Sequence, residues 1–317
     1  MMNEKDTICF SINITERCNC RCSYCHFYSR FSPNKYFCDI DDNIFNTYLL
    51  LIKYFIDNYT QNIHVRFSGG EPLVIGDRIF DLSKKVYKIL GIEPYVLSNG
   101  LLLDTEVMSK AKNSSVNKFV VSLENPYDID PYSVDTNKNI EKIKFLSNDK
   151  VSVVPGLVII KNNMFKKMLD ICDYFYYHLN EIPTLSELSY DKYEPPNASE
   201  FLDLYENTKA IVKKYFNKTA LELFPYVVPE LSFSFKNCYV IELYARNRFN
   251  LSINNIPNVA DTIVNLIHRC YMNRFCDNTE CDWFDYCQNI RLFWKNKLND
   301  YCKYKKTICS AYYDSLS

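Results

Sequence analysis

The sequence predicts an α/β protein, a partial (β/α)6 TIM-type barrel followed by a small cysteine-rich C-terminal region. Three observations predict it. Strand-like and helix-like segments alternate six times over roughly the first 210 residues, the pattern of a parallel sheet with helices outside. Polar and glycine-rich motifs fall at the ends of the first four strands, where such folds build their active sites. Eleven of the fourteen cysteines collect in two groups with a cysteine-poor stretch between them. The expected division is 1–222 for the α/β domain and 223–317 for the C-terminal region.

Residues 8–14 alternate like a strand, and a cysteine-rich loop follows at once. Asp42 opens a helical run to about Asp57, with apolar spacing at Ile44, Phe45, Tyr48, Leu49, Ile52 and Phe55. A second strand, 63–67, ends in Ser68-Gly69-Gly70-Glu71-Pro72. A helix from Asp77 stops at Gly91, a C′ glycine. The third strand, 95–97, ends in Ser98-Asn99-Gly100, and Asp104 caps the next helix. Lys118–Leu123 is the fourth strand, ending near Ser122 and Glu124, before a helix over 136–147. Val151–Ile160 is the fifth strand, followed by a helix over 164–179. Leu185–Tyr190 is the sixth, and Ser199 caps a helix over 200–217. Beyond about residue 225 the rhythm breaks. Cys238–Tyr244 and Arg248–Ile253 suggest a hairpin, and a helix begins at Asp261.

Composition narrows the function classes. Hydrophobic content of 47% supports a core without disulfide staples and excludes disorder. Net charge of −1 leaves no global basic footprint for nucleic acid. No run of eighteen apolar residues and no signal peptide is visible, so a reducing cytoplasm without membrane attachment is expected. Cysteines there bind metal or react more often than they pair. Cys9, Cys38 and Cys172 stand apart and read as small buried apolar residues.

Cys18, Cys22 and Cys25 form Cys-x3-Cys-x2-Cys, with Cys20 inside it. Chance at this cysteine frequency would give roughly 0.03 such triplets. Three thiolates in one loop can hold three corners of an iron–sulfur cubane and leave one iron open. Zinc is the alternative, closed by His26 or Cys20 as fourth ligand.

The triplet, with Tyr24 before its last cysteine and its place directly after the first strand, resembles the cluster motif of the radical S-adenosylmethionine (radical SAM) superfamily. The resemblance covers roughly residues 8–220. It implies that Cys18, Cys22 and Cys25 hold a [4Fe–4S] cluster whose open iron chelates S-adenosylmethionine, with Cys20 exposed and not a ligand. Gly69, Gly70, Glu71 and Pro72 look like the segment that receives the amino group of that cofactor. Two glycines let backbone approach a ligand and a carboxylate accepts from an ammonium. Ser98 and Asn99 resemble the family's third-strand motif, and Ser122 and Glu124 stand where it touches the cofactor's carboxylate or ribose. A solvated strand end is the plain alternative for the last pair. Val154–Ile159 offers an apolar wall for adenine, and Asn162 fits a recurrent polar position. The chemistry implied is reductive cleavage to a 5′-deoxyadenosyl radical that abstracts hydrogen from substrate, fed by a low-potential donor such as flavodoxin or ferredoxin.

Cys276, Cys281 and Cys287, with Cys302 behind, resemble a divergent SPASM (or twitch-like) extension that carries auxiliary clusters. The first spacing is four rather than two, and Arg291 stands where a further cysteine is usual. The resemblance therefore implies one auxiliary [4Fe–4S] cluster on Cys276, Cys281, Cys287 and Cys302, with Cys270, Cys238 and Cys309 as rival last ligands. A zinc knot of the same residues is the alternative. The substrate class follows from this region: oxidative or cross-linking modification of a ribosomally made peptide, its leader read by a separate protein or by the basic tail Arg291–Lys306. A small-molecule dehydrogenase acting on a sugar or alcohol is the second reading, and a non-enzymatic zinc-binding scaffold the third. Asp191 and Tyr193, after the sixth strand, are the candidate proton-handling residues.

Overall fold

The computed structural model describes residues 7–25, 37–187, 197–215, 238–245 and 251–272. These fall in two compact units. The first is drawn from Met1–Glu124, Asp130–Gly156 and Lys236–Asn265, the second from Asn125–Ile129, Leu157–Phe235 and Leu266–Ser317.

Strand and helix alternate as expected. The strands are β1 (Thr7–Thr15), β2 (Ile63–Gly69), β3 (Tyr95–Ser98), β4 (Lys118–Leu123), β5 (Ser152–Ile160), β6 (Thr184–Glu187) and β7 (Cys238–Leu243). The helices are α1 (Asp42–Asn58), α2 (Arg78–Leu90), α3 (Thr105–Lys112), α4 (Thr136–Leu146), α5 (Met168–Leu179), α6 (Ala198–Tyr215) and α7 (Ile256–Met272). In the first unit the sheet order is β4-β3-β2-β1-β7, and the pairings of β1 with β2 and β7, of β2 with β3 and of β3 with β4 are parallel. β5 and β6 pair in parallel, Leu157 to Ile160 against Thr184 to Glu187. Parallel pairing needs a crossover between strands, which α1 to α4 supply.

The helix caps explain the boundaries. Asp41 accepts from Asn43 N and Ile44 N to start α1, and Asp104 accepts from Val107 N to start α3. Gly91 ends α2 in the left-handed region at φ 70°, as the sequence predicts. β1 is buried on both faces, the mark of a central parallel strand. Its Phe10 meets Phe55 of α1 edge-on at 5.2 Å, and Phe45 of α1 lies 6.2 Å from Phe67 of β2. Phe45, Tyr48, Leu49, Ile52 and Phe55 are all fully buried, so the apolar stripe read from the sequence is the helix–sheet contact.

Three expectations are corrected. α6 begins at Ala198 because Asn197, not Ser199, is its cap: Asn197 Oδ1 accepts from Ser199 N and Glu200 N, and Glu200 Oε2 accepts from Asn197 N. Among the described residues, Cys238–Leu243 is in no hairpin; it pairs in parallel with β1, Thr7 opposite Cys238 through Ile12 opposite Leu243. Helix α7 starts at Ile256 rather than Asp261, after a 3-10 turn at Ile253–Asn255 in which Asn255 accepts from Ser252 N at 2.7 Å. That reciprocal cap claims residues expected to be strand. Among the described residues, no helix is long and apolar enough to cross a membrane.

Candidate functional site

The predicted residues gather at the C-terminal ends of four adjacent strands. The cysteine loop leaves β1, the Gly-Gly-Glu-Pro turn leaves β2, Ser98 ends β3, and Glu124 follows β4. Each motif is remote in sequence from the next. Parallel pairing in this strand order is what brings them to one edge.

The cysteine loop is seated on the glycine turn. Gly70 N donates to Thr15 O at 2.9 Å and Glu71 N to Arg17 O at 2.8 Å. A Cβ on Gly69, at φ 138°, would lie 2.1 Å from Thr15 O, and one on Gly70 2.2 Å from Arg17 O. Both glycines are thus required by the protein's own backbone, where the sequence reading had a ligand approaching. Asp39 anchors the other side: it receives Thr15 Oγ1 at 2.6 Å and a two-pronged contact from Arg17, at 2.9 and 2.7 Å.

Glu71 is fully buried and accepts from three protein donors: Leu73 N at 3.0 Å, Ser98 Oγ at 3.0 Å and Asn99 N at 2.6 Å. Burial raises its proton affinity and the three hydrogen bonds oppose that. The carboxylate joins the end of β2 to the end of β3. From there Asn99 reaches the cysteine loop, its Nδ2 lying 2.7 Å from Asn19 Oδ1 and 3.4 Å from Cys20 Sγ. Asn139 of α4, absent from the sequence reading, donates to Asn99 O at 3.0 Å and Ser122 O at 2.8 Å, tying the ends of β3 and β4 together. Its carboxamide lies against Gly100, where a Cβ would meet Asn139 Oδ1 at 2.5 Å. Gly100 sits in the left-handed region at φ 78°, as a turn glycine must.

Glu124 is buried, 4% exposed, which removes the solvated-strand-end reading. Its Oε1 receives the Tyr24 hydroxyl and Ser133 Oγ, the latter at 2.5 Å. Burial, more than any neighbour, pushes the carboxyl up to about 7. Tyr24, beside it, is raised by the same burial and by the carboxylate. Ser133 also lies 3.1 Å from Cys22 Sγ and 2.9 Å from Tyr24 Oη. Asp130 receives Ser23 N at 2.5 Å, and Tyr132 O receives Arg21 N at 3.0 Å. Residues 130–133 therefore hold Arg21, Cys22, Ser23 and Tyr24 one by one. Only the turn signal Asp130-Pro131 hinted at this segment; contacts more than a hundred residues apart leave no local trace.

Cys18, Cys22 and Cys25 are half-buried, while Cys20 is 6% exposed. The exposed position expected for Cys20 is overturned, because its thiol turns inward beside Cys18 and Cys22 and receives Asn99 Nδ2 at 3.4 Å. Hydrogen bonding with Cys20, whose backbone N also donates to Cys18 Sγ at 3.3 Å, is the main reason that Cys18 is held below the ordinary thiol range and Cys22 is lowered to about 6. Cys9 and Cys172 are buried as expected; Cys38 is only half-buried, at the edge contact between Glu16 N and its carbonyl. Three cysteines on one loop, two of them with lowered proton affinity, are a donor set that fits an iron–sulfur cluster. Among the described residues, no group of three or more His, Cys, Asp or Glu is drawn together as a site for a single metal ion. His26, Asp191, Tyr193, Cys276, Cys281, Cys287, Cys302 and Cys309 lie outside the described residues, as do the side chains of Asn162, Cys238 and Cys270.

Comparison with known proteins adds an independent line. A family model described as the Radical SAM superfamily matches residues 12–174. A protein named S-adenosylmethionine-dependent nucleotide dehydratase, from Pseudoalteromonas ulvae, is 30% identical over 119 residues, covering 34% of this chain and 38% of its own length. A GTP 3′,8-cyclase from Staphylococcus haemolyticus is 25% identical over 226 residues, 66% of this chain and 65% of that protein. The chain thus spans about two fifths to two thirds of the length of these relatives. Among solved structures, native anSMEcpe with bound AdoMet and Cp18Cys peptide superposes with a TM-score of 0.68 at 17% identity, covering 98% of both chains, a likeness of fold.

Proposed function

The chain belongs to the radical SAM superfamily and is an enzyme, and from that premise we propose that it cleaves S-adenosylmethionine reductively to abstract hydrogen from a peptide substrate. The observation that carries this reading is the convergence of Cys18, Cys22 and Cys25 with the Gly69–Pro72 turn, Ser98-Asn99 and Glu124 at one edge of the sheet. Cys18, Cys22 and Cys25 would hold the [4Fe–4S] cluster, which when bound supplies the electron and the open iron for the cofactor. The protein's own part is placement. The Gly-Gly backbone and Asp39 fix the root of the loop, the buried Glu71 fixes the strand ends behind it, and residues 130–133 fix its outer side. Ser98, Asn99, Ser122, Glu124 and Tyr24 are the proposed cofactor neighbours. Glu124, with its carboxyl near neutrality, is the group there that can hold or release a proton.

A peptide is the first substrate to test. The SPASM-like spacing of Cys276, Cys281 and Cys287 supports it, and anSMEcpe, which shares the fold, has been solved with a peptide bound. One auxiliary cluster on those cysteines and Cys302, a domain over 223–317, a flavodoxin- or ferredoxin-like donor and a separate leader-binding protein belong to the same proposal. A small-molecule substrate is the second reading; the curated relatives named for nucleotide chemistry make a nucleotide the first small molecule to try. The deciding experiment reconstitutes the protein anaerobically, reduces it with S-adenosylmethionine, and measures 5′-deoxyadenosine. Product is expected, and its rate should rise with a true substrate. No product under strong reduction ends the radical reading. About four irons in total, rather than eight, would end the auxiliary cluster.

A further inference from the structure

The side chain that touches most of the cysteine loop's chemistry lies on none of the predicted motifs. Ser133 Oγ is 3.1 Å from Cys22 Sγ, 2.9 Å from Tyr24 Oη and 2.5 Å from Glu124 Oε1. Its backbone is fixed too: Ser133 N donates to Asp130 O at 3.1 Å, while the Asp130 carboxylate receives Tyr132 N at 2.9 Å and Ser23 N at 2.5 Å. The hydroxyl is therefore held in place by its own turn and by the loop it faces. With Cys22 as a free thiol, the sulfur can donate to Ser133. A metal-bound thiolate has no hydrogen, so the only hydrogen available for that contact is the one on Ser133.

We propose that Ser133 is a positioning residue that donates its hydroxyl hydrogen to the Cys22 thiolate and thereby raises the reduction potential of the bound cluster. This rests on the reading of Cys22 as a cluster ligand. The physical reason is charge. Reduction adds an electron to an already anionic cluster, and a hydrogen bond to a ligand sulfur withdraws density and favours the reduced form. Glu124 tunes the effect, because it competes with the thiolate for the one hydroxyl hydrogen; Tyr24 Oη, which gives its own hydrogen to Glu124, is a third acceptor within reach. An amide at 124 can instead donate to Ser133 Oγ, which leaves the hydroxyl hydrogen to Cys22.

The test compares wild type, Ser133→Ala, Ser133→Thr and Glu124→Gln after anaerobic reconstitution with iron and sulfide. Midpoint potentials are read by EPR-monitored redox titration without substrate, on the signal that Cys22→Ala abolishes. Ser133→Ala is expected to lower the midpoint, Ser133→Thr to restore it, and Glu124→Gln to sit at or above wild type. If Ser133→Ala loses the cluster while Ser133→Thr keeps it, the hydroxyl is still the group at work. A Ser133→Ala midpoint equal to wild type overturns the inference. So does a Thr variant no better than Ala, or a fall in Glu124→Gln. Wild-type protein that takes up no cluster overturns the functional reading as well, whereas loaded proteins with equal midpoints overturn this inference alone.

Discussion

Replacing Glu71 by glutamine separates its buried charge from its shape. All three contacts of the carboxylate are donors: Leu73 N, Ser98 Oγ and Asn99 N, at 3.0, 3.0 and 2.6 Å. Ser98 has little freedom to reverse its role, since its oxygen already receives Gly100 N at 3.0 Å. An amide in this position must turn its NH2 toward either Asn99 N–H or Leu73 N–H, and whichever it faces loses its acceptor. A buried main-chain N–H without a partner costs about 1–3 kcal/mol. At about 2 kcal/mol, a chain of this length should melt roughly 3 °C lower. Glu71→Ala leaves both main-chain donors without acceptors and should lose about 2–6 kcal/mol. The expected order of stability is wild type, then glutamine, then alanine. It is measured by thermal unfolding of the metal-free proteins followed by circular dichroism, so that cluster loss does not contribute. A glutamine variant that melts within about 1 °C of wild type would refute the reasoning, because it would mean that water or a relaxed backbone satisfies these donors.

Gly69→Ala should destabilise by roughly 2–5 kcal/mol, combining a forbidden φ with a 2.1 Å clash on Thr15 O; Gly76→Ala, at φ 61° but with nothing within 4 Å, is the control for strain alone and should lose only about 1 kcal/mol, both by urea unfolding. Asn139→Ala removes the bonds to Asn99 O and Ser122 O and should cost about 2 kcal/mol; a loss below about 0.5 kcal/mol would show that the strand ends hold without it. Glu124 has a folded value of about 7 against an ordinary 4.5, so the unfolded chain gives up this proton first and the folded state weakens as pH rises from about 4.5 through 7. The loss is about 3 kcal/mol and is complete above that range, so metal-free Glu124→Gln should gain on wild type between pH 5 and pH 8; parallel melting curves for the two proteins would contradict this. Arg17→Ala should change stability by less than about 1 kcal/mol, because its pair with Asp39 is 47% and 30% exposed and is screened by solvent.

The elements were legible because their signals are local. Asp41 and Asp104 act as caps within three residues, Gly91 is a left-handed stop, and the stripe of α1 repeats at helical spacing. Where local signals compete, sequence alone does not choose between them. Asn197 and Ser199 are both good caps, and only the reciprocal bond with Glu200 selects Asn197. Cys238–Leu243 has the alternation of any strand, and nothing in it says that its partner is β1, more than two hundred residues earlier. The site divides in the same way. The three cysteines and the glycine turn stand out by spacing and rarity. The partners that fix them, Asp130, Tyr132, Ser133 and Asn139, have ordinary local contexts.

By itself, then, the sequence determined the alternation of strands and helices, the places where the chain must turn, and which residues are rare enough to carry chemistry. Each of these is written in side-chain period, capping and backbone freedom over a few residues. The tertiary structure alone decided what those residues face. It showed that Gly69 and Gly70 yield to the backbone of Thr15 and Arg17, that Glu71 serves three protein donors, that Cys20 is buried, and that Glu124 is buried with its carboxyl pushed up to about 7. Burial and long-range hydrogen bonding depend on strand order, and strand order is a property of the whole packed chain rather than of any segment of it.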